Sequence, residues 1–203
     1  MKMTRIVKDP EERKQELIDA AESLFAERGY EDTAVSDIVR EINVGQGTFY
    51  HYFKSKEDVL DAVAEKQVTP LTEEIERIAK SDDHPAFKLN AMMNSFLKAN
   101  ESETGLMKQL HQRGNYLLHQ KKERVLRERV LPLMVNTASS GAAERYFNTE
   151  CPGESIVFLL ASALFLSEHF SSDPEDRERM RRALETITAR VLGVCGYQFH
   201  LEV

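Results

Sequence analysis

Cysteine is scarce in this chain, with only Cys151 and Cys195. Two thiols so far apart make neither a disulfide framework nor a paired metal-ligand spacing. They fit a reduced, bacterial-type cytosol, so the expectation is a cytoplasmic protein with no metal and no cofactor. Long apolar runs are missing as well. The longest nearly continuous one, Ile156 to Leu166, is too short to span a bilayer. The opening "MKMTRIVKDPEERK" has no apolar signal core, so no membrane partner is expected. Proline and glycine are few, 6 and 9 in 203 residues, and 30% of the chain is charged, which points to a soluble, helix-rich protein. No segment alternates with period two for long, which argues against a sheet. Gly-x-Ser-x-Gly, phosphate-cradling and His-Glu-x-x-His patterns are also absent, and neither cysteine has a catalytic setting. The expectation is therefore not an enzyme.

One absence is local. The formal net charge is -7. Residues 1–56 carry nine Lys/Arg against eleven Asp/Glu, a net of -2. Yet from Ile42 to Lys56 there is no acid at all, and Glu41 and Glu57 close the window on either side. Electrostatic footprints are set by such patches rather than by the total.

What is present is helical periodicity. Asp9-Pro10-Glu11-Glu12 reads as an N-cap, a proline at the first helical position and a capping-box acid. Leu17, Ala21, Leu24 and Phe25 then mark one face of a helix, which Gly29 ends. Thr33 is expected to cap a second helix with Val35, Ile38, Val39 and Ile42 on its buried face. Asn43 can close it in the left-handed conformation, with Val44 as the accompanying apolar contact. A third helix runs from Gly45 or Gln46 to about Tyr52, and Ser55 caps a fourth, with Asp58 as its capping-box partner. Further helices are expected from Pro85, over "TGLMKQLHQ", and through "NYLLHQKKERVLRERVLPLMVNTA". The last of these is bent near Pro132 and closes at Ser139-Ser140-Gly141. Others run from Gly153 to Phe170 and from Asp173 onward, the final one with Met180, Leu184, Ile187 and Val191 on one stripe.

Two short helices joined by Asn43-Val44-Gly45 have the proportions of a helix-turn-helix, a support helix and a recognition helix about a short turn. Gln46 offers an amide suited to an adenine edge, and Thr48 a hydroxyl and a methyl. Gly47 lets backbone approach a partner closely. Phe49 and Phe53, four apart, point inward. Tyr50, His51 and Tyr52 present polar groups at phosphate level, where contacts position rather than specify. Lys56, in the first turn of the fourth helix, is expected to share a phosphate with that helix's free N–H groups.

Over about Glu16 to Leu60, "LIDAAESLFAERGYEDTAVSDIVREINVGQGTFYHYFKSKEDVL" closely resembles the DNA-binding domain of TetR-family (tetracycline-repressor-like) transcriptional regulators. The resemblance rests on Phe25, Gly29-Tyr30, Thr33, Ile38, Gly47-Thr48, Tyr50 and Phe53-Lys54. It implies an all-α fold, with a three-helix helix-turn-helix DNA-binding domain over 1–54. A larger helical effector-binding and dimerisation domain would cover 55–203. It also implies a cytoplasmic homodimer, usually a repressor, that leaves a palindromic operator when a small molecule binds. Family DNA contacts carry over to Thr33, Gln46, Gly47, Thr48, Tyr50, His51, Tyr52 and Lys56, with Ser36 as a further candidate. The chain departs from the family's pattern at Asn43, commonly glycine, and at Gly45, commonly serine or threonine.

A dimer would place two reading helices about one turn of DNA apart, ~34–36 Å. "SIVFLLASALFLSEHF" is apolar on nearly all sides and so needs cover on both. Phe158, Ala161, Ser162 and Phe165, with Leu184, Ile187 and Val191 of the last helix, are the expected interface. Met93, Phe96, Met107, Tyr116 and Phe158 fit either of two readings, the lining of an effector cavity or ordinary core, and His111 is either a polar group in that cavity or a solvated histidine. The competing functional classes are an all-helical enzyme and a helical ligand carrier that has lost DNA binding.

Overall fold

The computed structural model describes residues 9–112, 115–169, 173–194 and 197–202, apart from the side chains of 100–112 and 166–169. Among the described residues there are helices and no strand. They are α1 (Pro10–Arg28), α2 (Val35–Glu41), α3 (Gln46–Tyr52), α4 (Lys56–Ala79), α5 (Pro85–Gln112), α6 (Tyr116–Val125), a π-helical turn (Leu126–Val130), α7 (Leu131–Ala143), α8 (Pro152–His169) and α9 (Pro174–Leu192). "TGLMKQLHQ" is therefore no separate helix but the continuation of α5. Nothing between Pro85 and Gln112 forces a break, since no proline follows the first residue.

The chain divides into two units, Met1–Gln67 with Gln109–Glu123, and Val68–Lys108 with Arg124–Val203. This differs from the expected division at 54/55. Val59, Leu60, Val63 and Ala64 of α4 belong to the same apolar cluster as Leu17, Phe25, Ile38 and Phe49, so the first unit needs the start of α4 to close its core.

In the first unit the N-cap and the opening proline of α1 are as expected, without the capping box. Asp9 accepts from the Glu11 N–H at 2.9 Å and Pro10 opens the helix. Gly29 (φ 90°) ends it, donating to Phe25 at 3.0 Å.

The second unit is centred on Ile75, Leu89, Met92, Met93, Met134, Ile156 and Leu159. Pro132 has no N–H to give to the residue four back, and the helix answers with π register just before it. The Leu131 N–H reaches Leu126. Gly141 does not end α7 as expected. The helix passes through it to Ala143, and Arg145 (φ 65°) makes the turn. Gly141 is glycine because a Cβ there would collide with the buried Phe147 ring and sit 3.0 Å from Pro85 Cβ. Gly141→Ala is expected to cost about 1–3 kcal/mol in urea unfolding, the usual cost of overpacking, despite alanine's better helix propensity.

Candidate nucleic-acid interface

The site is built from the turn outward. Ala34, not Thr33, caps α2, and its N–H donates to Asp37 at 3.0 Å. That bond holds the Asp37 carboxyl below its ordinary range, helped by Arg28 at 3.4 Å and Arg40 at 2.7 Å. Asn43 takes the left-handed conformation (φ 54°), and the Val44 N–H reaches back to Val39 at 2.9 Å, closing α2. Gly45 opens α3 and accepts from Thr48 at 2.9 Å. Phe49 and Phe53 are buried with ring centroids 5.6 Å apart, and they fix α3 onto α1, α2 and the start of α4.

This anchoring decides which face of α3 looks outward. Gln46, Gly47, Tyr50 and His51 are exposed, and so is Ser36 on α2. Thr48 and Tyr52 are half-buried, the Tyr52 ring edge-on to His51 at 4.9 Å. A Cβ built on Gly45 or Gly47 meets nothing within 4 Å, so neither glycine is demanded by packing inside the chain.

Two expected contacts are corrected. Thr33 is 1% exposed and its hydroxyl donates to the Gly29 carbonyl at 2.8 Å. It ties the α1–α2 loop and offers no surface to a partner. The Lys56 ammonium is occupied too, donating to the Tyr30 carbonyl at 2.7 Å and lying 4.1 Å over the Tyr30 ring. A carbonyl and an aromatic face together hold a lysine well, so it braces the loop instead of reaching outward. Lys54 is the exposed cation at this edge. It was legible in the Phe53-Lys54 pair but was not among the expected contacts. The Ser55 cap is confirmed: its hydroxyl accepts from the Asp58 N–H at 3.1 Å. Asp58 in turn accepts from the Lys54 N–H at 2.8 Å, which chiefly lowers its pKa.

The supports of this site were missed in the sequence. Asn115 is 3% exposed, and its amide donates to the Phe25 carbonyl at 2.7 Å and accepts from the Tyr30 N–H at 2.9 Å. Lys121 bonds Glu57 at 2.5 Å. Lys66 bonds Asp19 at 2.7 Å and also pairs with Glu22. Lys122 is buried, and burial pushes its amine down to about 8. The partners of Asn115, Lys121 and Lys66 lie 44 to 90 positions away, beyond any spacing rule.

Elsewhere the expected residues scatter. Met93 and Phe96 are buried in the second unit's core. Met107 and His111 lie outside the described side chains. Tyr116 is 62% exposed, with its hydroxyl accepting from Gln120, and Phe158 is 71% exposed; an outward-facing ring lines no enclosed cavity, so neither does. Phe158, Ala161, Ser162 and Phe165 lie exposed along α8, and Ile187 and Val191 are exposed on α9. Leu184 does not join them. It turns into the core with Glu185, Thr188 and Leu192, which set the inner face of α9, while Ile187 and Val191 fall round the helix on the outer side of Leu184.

Residues 17–63, the span that carries this turn and its anchors, match the family model of bacterial regulatory proteins, tetR family. Over this span the chain is similar to tetR-family regulators. The regulator HbdR of Aromatoleum sp. (strain CIB) is 37% identical over 87 residues, 41% of this chain and 38% of that one. The fatty acid metabolism regulator protein of Bacillus subtilis (strain 168) is 32% identical over 115 residues, 55% of this chain and 59% of that one. The chain thus spans about two-fifths to three-fifths of the curated relatives it matches. A crystal structure of a TetR/AcrR-family transcriptional regulator from Thermobifida fusca YX-ER1 shares 26% identity at a TM-score of 0.63, covering 92% of this chain and 98% of that one. Among the described residues no helix is long and apolar enough to cross a membrane, and no His/Cys/Asp/Glu group could hold a metal ion.

Proposed function

We propose that this chain is a tetR-family transcriptional regulator that binds double-stranded DNA through α3, as a homodimer, and releases a palindromic operator when a small-molecule effector binds. The observation that carries this is the outer face of α3. It is free of acids and held rigid from behind by Phe49 and Phe53, and its first turn is open around two glycines that nothing inside the chain requires. Gln46 and Thr48 are the proposed base readers, and Tyr50, His51, Tyr52 and Lys54 the phosphate-level contacts. The division of labour is proposed likewise, with DNA binding in the N-terminal part and effector binding and dimerisation in the rest. The dimer face is the exposed apolar set Phe158, Phe165, Ile187 and Val191 with the small Ala161 and Ser162. Repression is the expected outcome, in a cytoplasmic setting.

Site selection from random DNA, followed by mobility-shift titration on the selected and scrambled sequences, tests the reading. Equal affinity for both would end the sequence-specific reading. Gly47→Ala separates function from folding. It is expected to raise stability by up to about 1 kcal/mol, since alanine is the better helix former and its methyl meets open space. It is also expected to weaken operator binding about tenfold, because the methyl stands where the DNA approaches. Unchanged operator affinity would remove Gly47 from the interface.

A further inference from the structure

Residues 197–202 follow α9 as an extended strap with no regular structure, and it is held in an unusual way. Gly193 (φ 63°) turns the chain out of α9 against the Asn148 backbone. Phe199 and Leu201 then drop into the second unit's core, in the cluster that also holds Leu89, Met92, Leu184 and Leu192, while His200 and Glu202 face outward. The strap's backbone is bonded to side chains. The His200 N–H donates to Asn90 at 2.8 Å, the Leu201 N–H to Glu185 at 2.8 Å and the Glu202 N–H to Asn94 at 2.9 Å. The His200 carbonyl accepts from Asn94 at 2.9 Å. Asn90 and Asn94 lie four apart on one face of α5, as a strap of this length needs. Held this way, the strap can lift away without breaking any helix hydrogen bond.

A second observation comes from α9. Thr188 is fully buried on the same inner stripe as Leu184, Glu185 and Leu192, and its hydroxyl has no hydrogen-bond partner among the described residues. A buried hydroxyl without a partner is costly and calls for an explanation.

We infer that residues 197–202 are a displaceable plug in a ligand slot between α5 and α9, and that the slot takes an uncharged apolar ring or chain bearing hydrogen-bond donors. The places of Phe199 and Leu201 set the apolar part. The polar part follows from the bonds the strap makes. Three of the four are N–H donations to Asn90, Asn94 and Glu185 oxygens, and Thr188 adds a free hydroxyl. A carboxylate ligand would meet the Glu185 carboxylate, whose Arg181 partner is already shared with Glu178. A phenol or an amide satisfies the slot, and a fatty acid does not. This rests on the proposed reading of the second unit as effector-binding, and its test uses no DNA, so a failure of operator binding would leave it standing.

The probes are 4-butylphenol and octanoate, titrated calorimetrically into the full chain, with amide hydrogen exchange read at 200–202. The phenol is expected to bind at least tenfold tighter than octanoate and to speed exchange at His200, Leu201 and Glu202 at least tenfold, with exchange in α1 unchanged. Thr188→Val, which keeps the shape, is expected to weaken phenol binding about tenfold. A chain ending at residue 196 is expected to bind the phenol at least tenfold tighter than the full chain, having no plug to displace. If that variant fails to fold, the exchange result on the full chain still decides. No phenol binding up to millimolar concentration, or binding that leaves or slows exchange at 200–202, overturns the plug. Equal binding of octanoate, or full phenol affinity in Thr188→Val, overturns the donor-bearing ligand.

Discussion

Asn115→Ala is expected to cost the protein about 1–3 kcal/mol, a large loss for one polar side chain near the proposed interface. The amide is 3% exposed and satisfies two backbone groups at once, the Phe25 carbonyl and the Tyr30 N–H. Truncation leaves the Tyr30 N–H buried without a partner, at about 1–3 kcal/mol less whatever water entering the vacated space restores, while the Phe25 carbonyl keeps the Gly29 N–H at 3.0 Å. The position also matters for function. Tyr30 carries the carbonyl and ring that hold Lys56, and the same loop is tied by Thr33 to Gly29. Asn115→Asp is a sharper probe. It keeps an acceptor for the Tyr30 N–H but sets a carboxylate oxygen against the Phe25 carbonyl, and should be no better than alanine near neutral pH. Urea unfolding followed by far-UV circular dichroism reads both. An Asn115→Ala change within about 0.5 kcal/mol of wild type, the usual scatter of a surface substitution, would show that the clamp carries no stability.

Lys122→Met acts in the opposite direction. Burial pushes the Lys122 amine down from 10.5 to about 8, with Glu22 opposing the shift. A lysine whose folded pKa is lowered penalises the fold whenever both states hold the proton, which is everywhere below about pH 8. Between about 8 and 10.5 the unfolded chain binds more protons than the folded one, so stability climbs with pH through that window and levels off above it. At about 1.4 kcal/mol per pH unit, the penalty near neutral pH is on the order of 3–4 kcal/mol. Methionine fills a similar volume without the charge, and Glu22 keeps Lys66 and Gln67. The substitution should therefore stabilise the protein near pH 7 and lose most of that gain near pH 10. Parallel unfolding curves at the two pH values measure it. A gain that is the same at both would rule out the buried charge as its source.

Both predictions concern residues that periodicity and motif left unread, and the reason is physical. The cap of α1, the left-handed Asn43, the Ser55 cap of α4 and the inward pair Phe49 and Phe53 are local devices. Each involves residues within about one turn of one another, so spacing alone reveals them. Thr33 and Lys56 looked like caps and grips for the same local reasons, and only their partners corrected this. Thr33 reaches back to Gly29, and Lys56 crosses to Tyr30, 26 positions away.

The sequence by itself determined the helical class, the turn between α2 and α3, and the acid-free outer face of α3, because these follow from hydrogen bonding and side-chain periodicity inside short segments. Tertiary structure decided the rest. It turned Leu184 inward and left Ile187 outward on one apolar stripe, and it made Gly141 a contact with Phe147 rather than a helix end. It also brought Asn115 to the end of α1 and Phe199 and Leu201 into the core near α5 and α9. Which of several apolar faces is buried, and which polar group meets which, depends on what else packs against them, and that is set by chain segments far apart in the sequence.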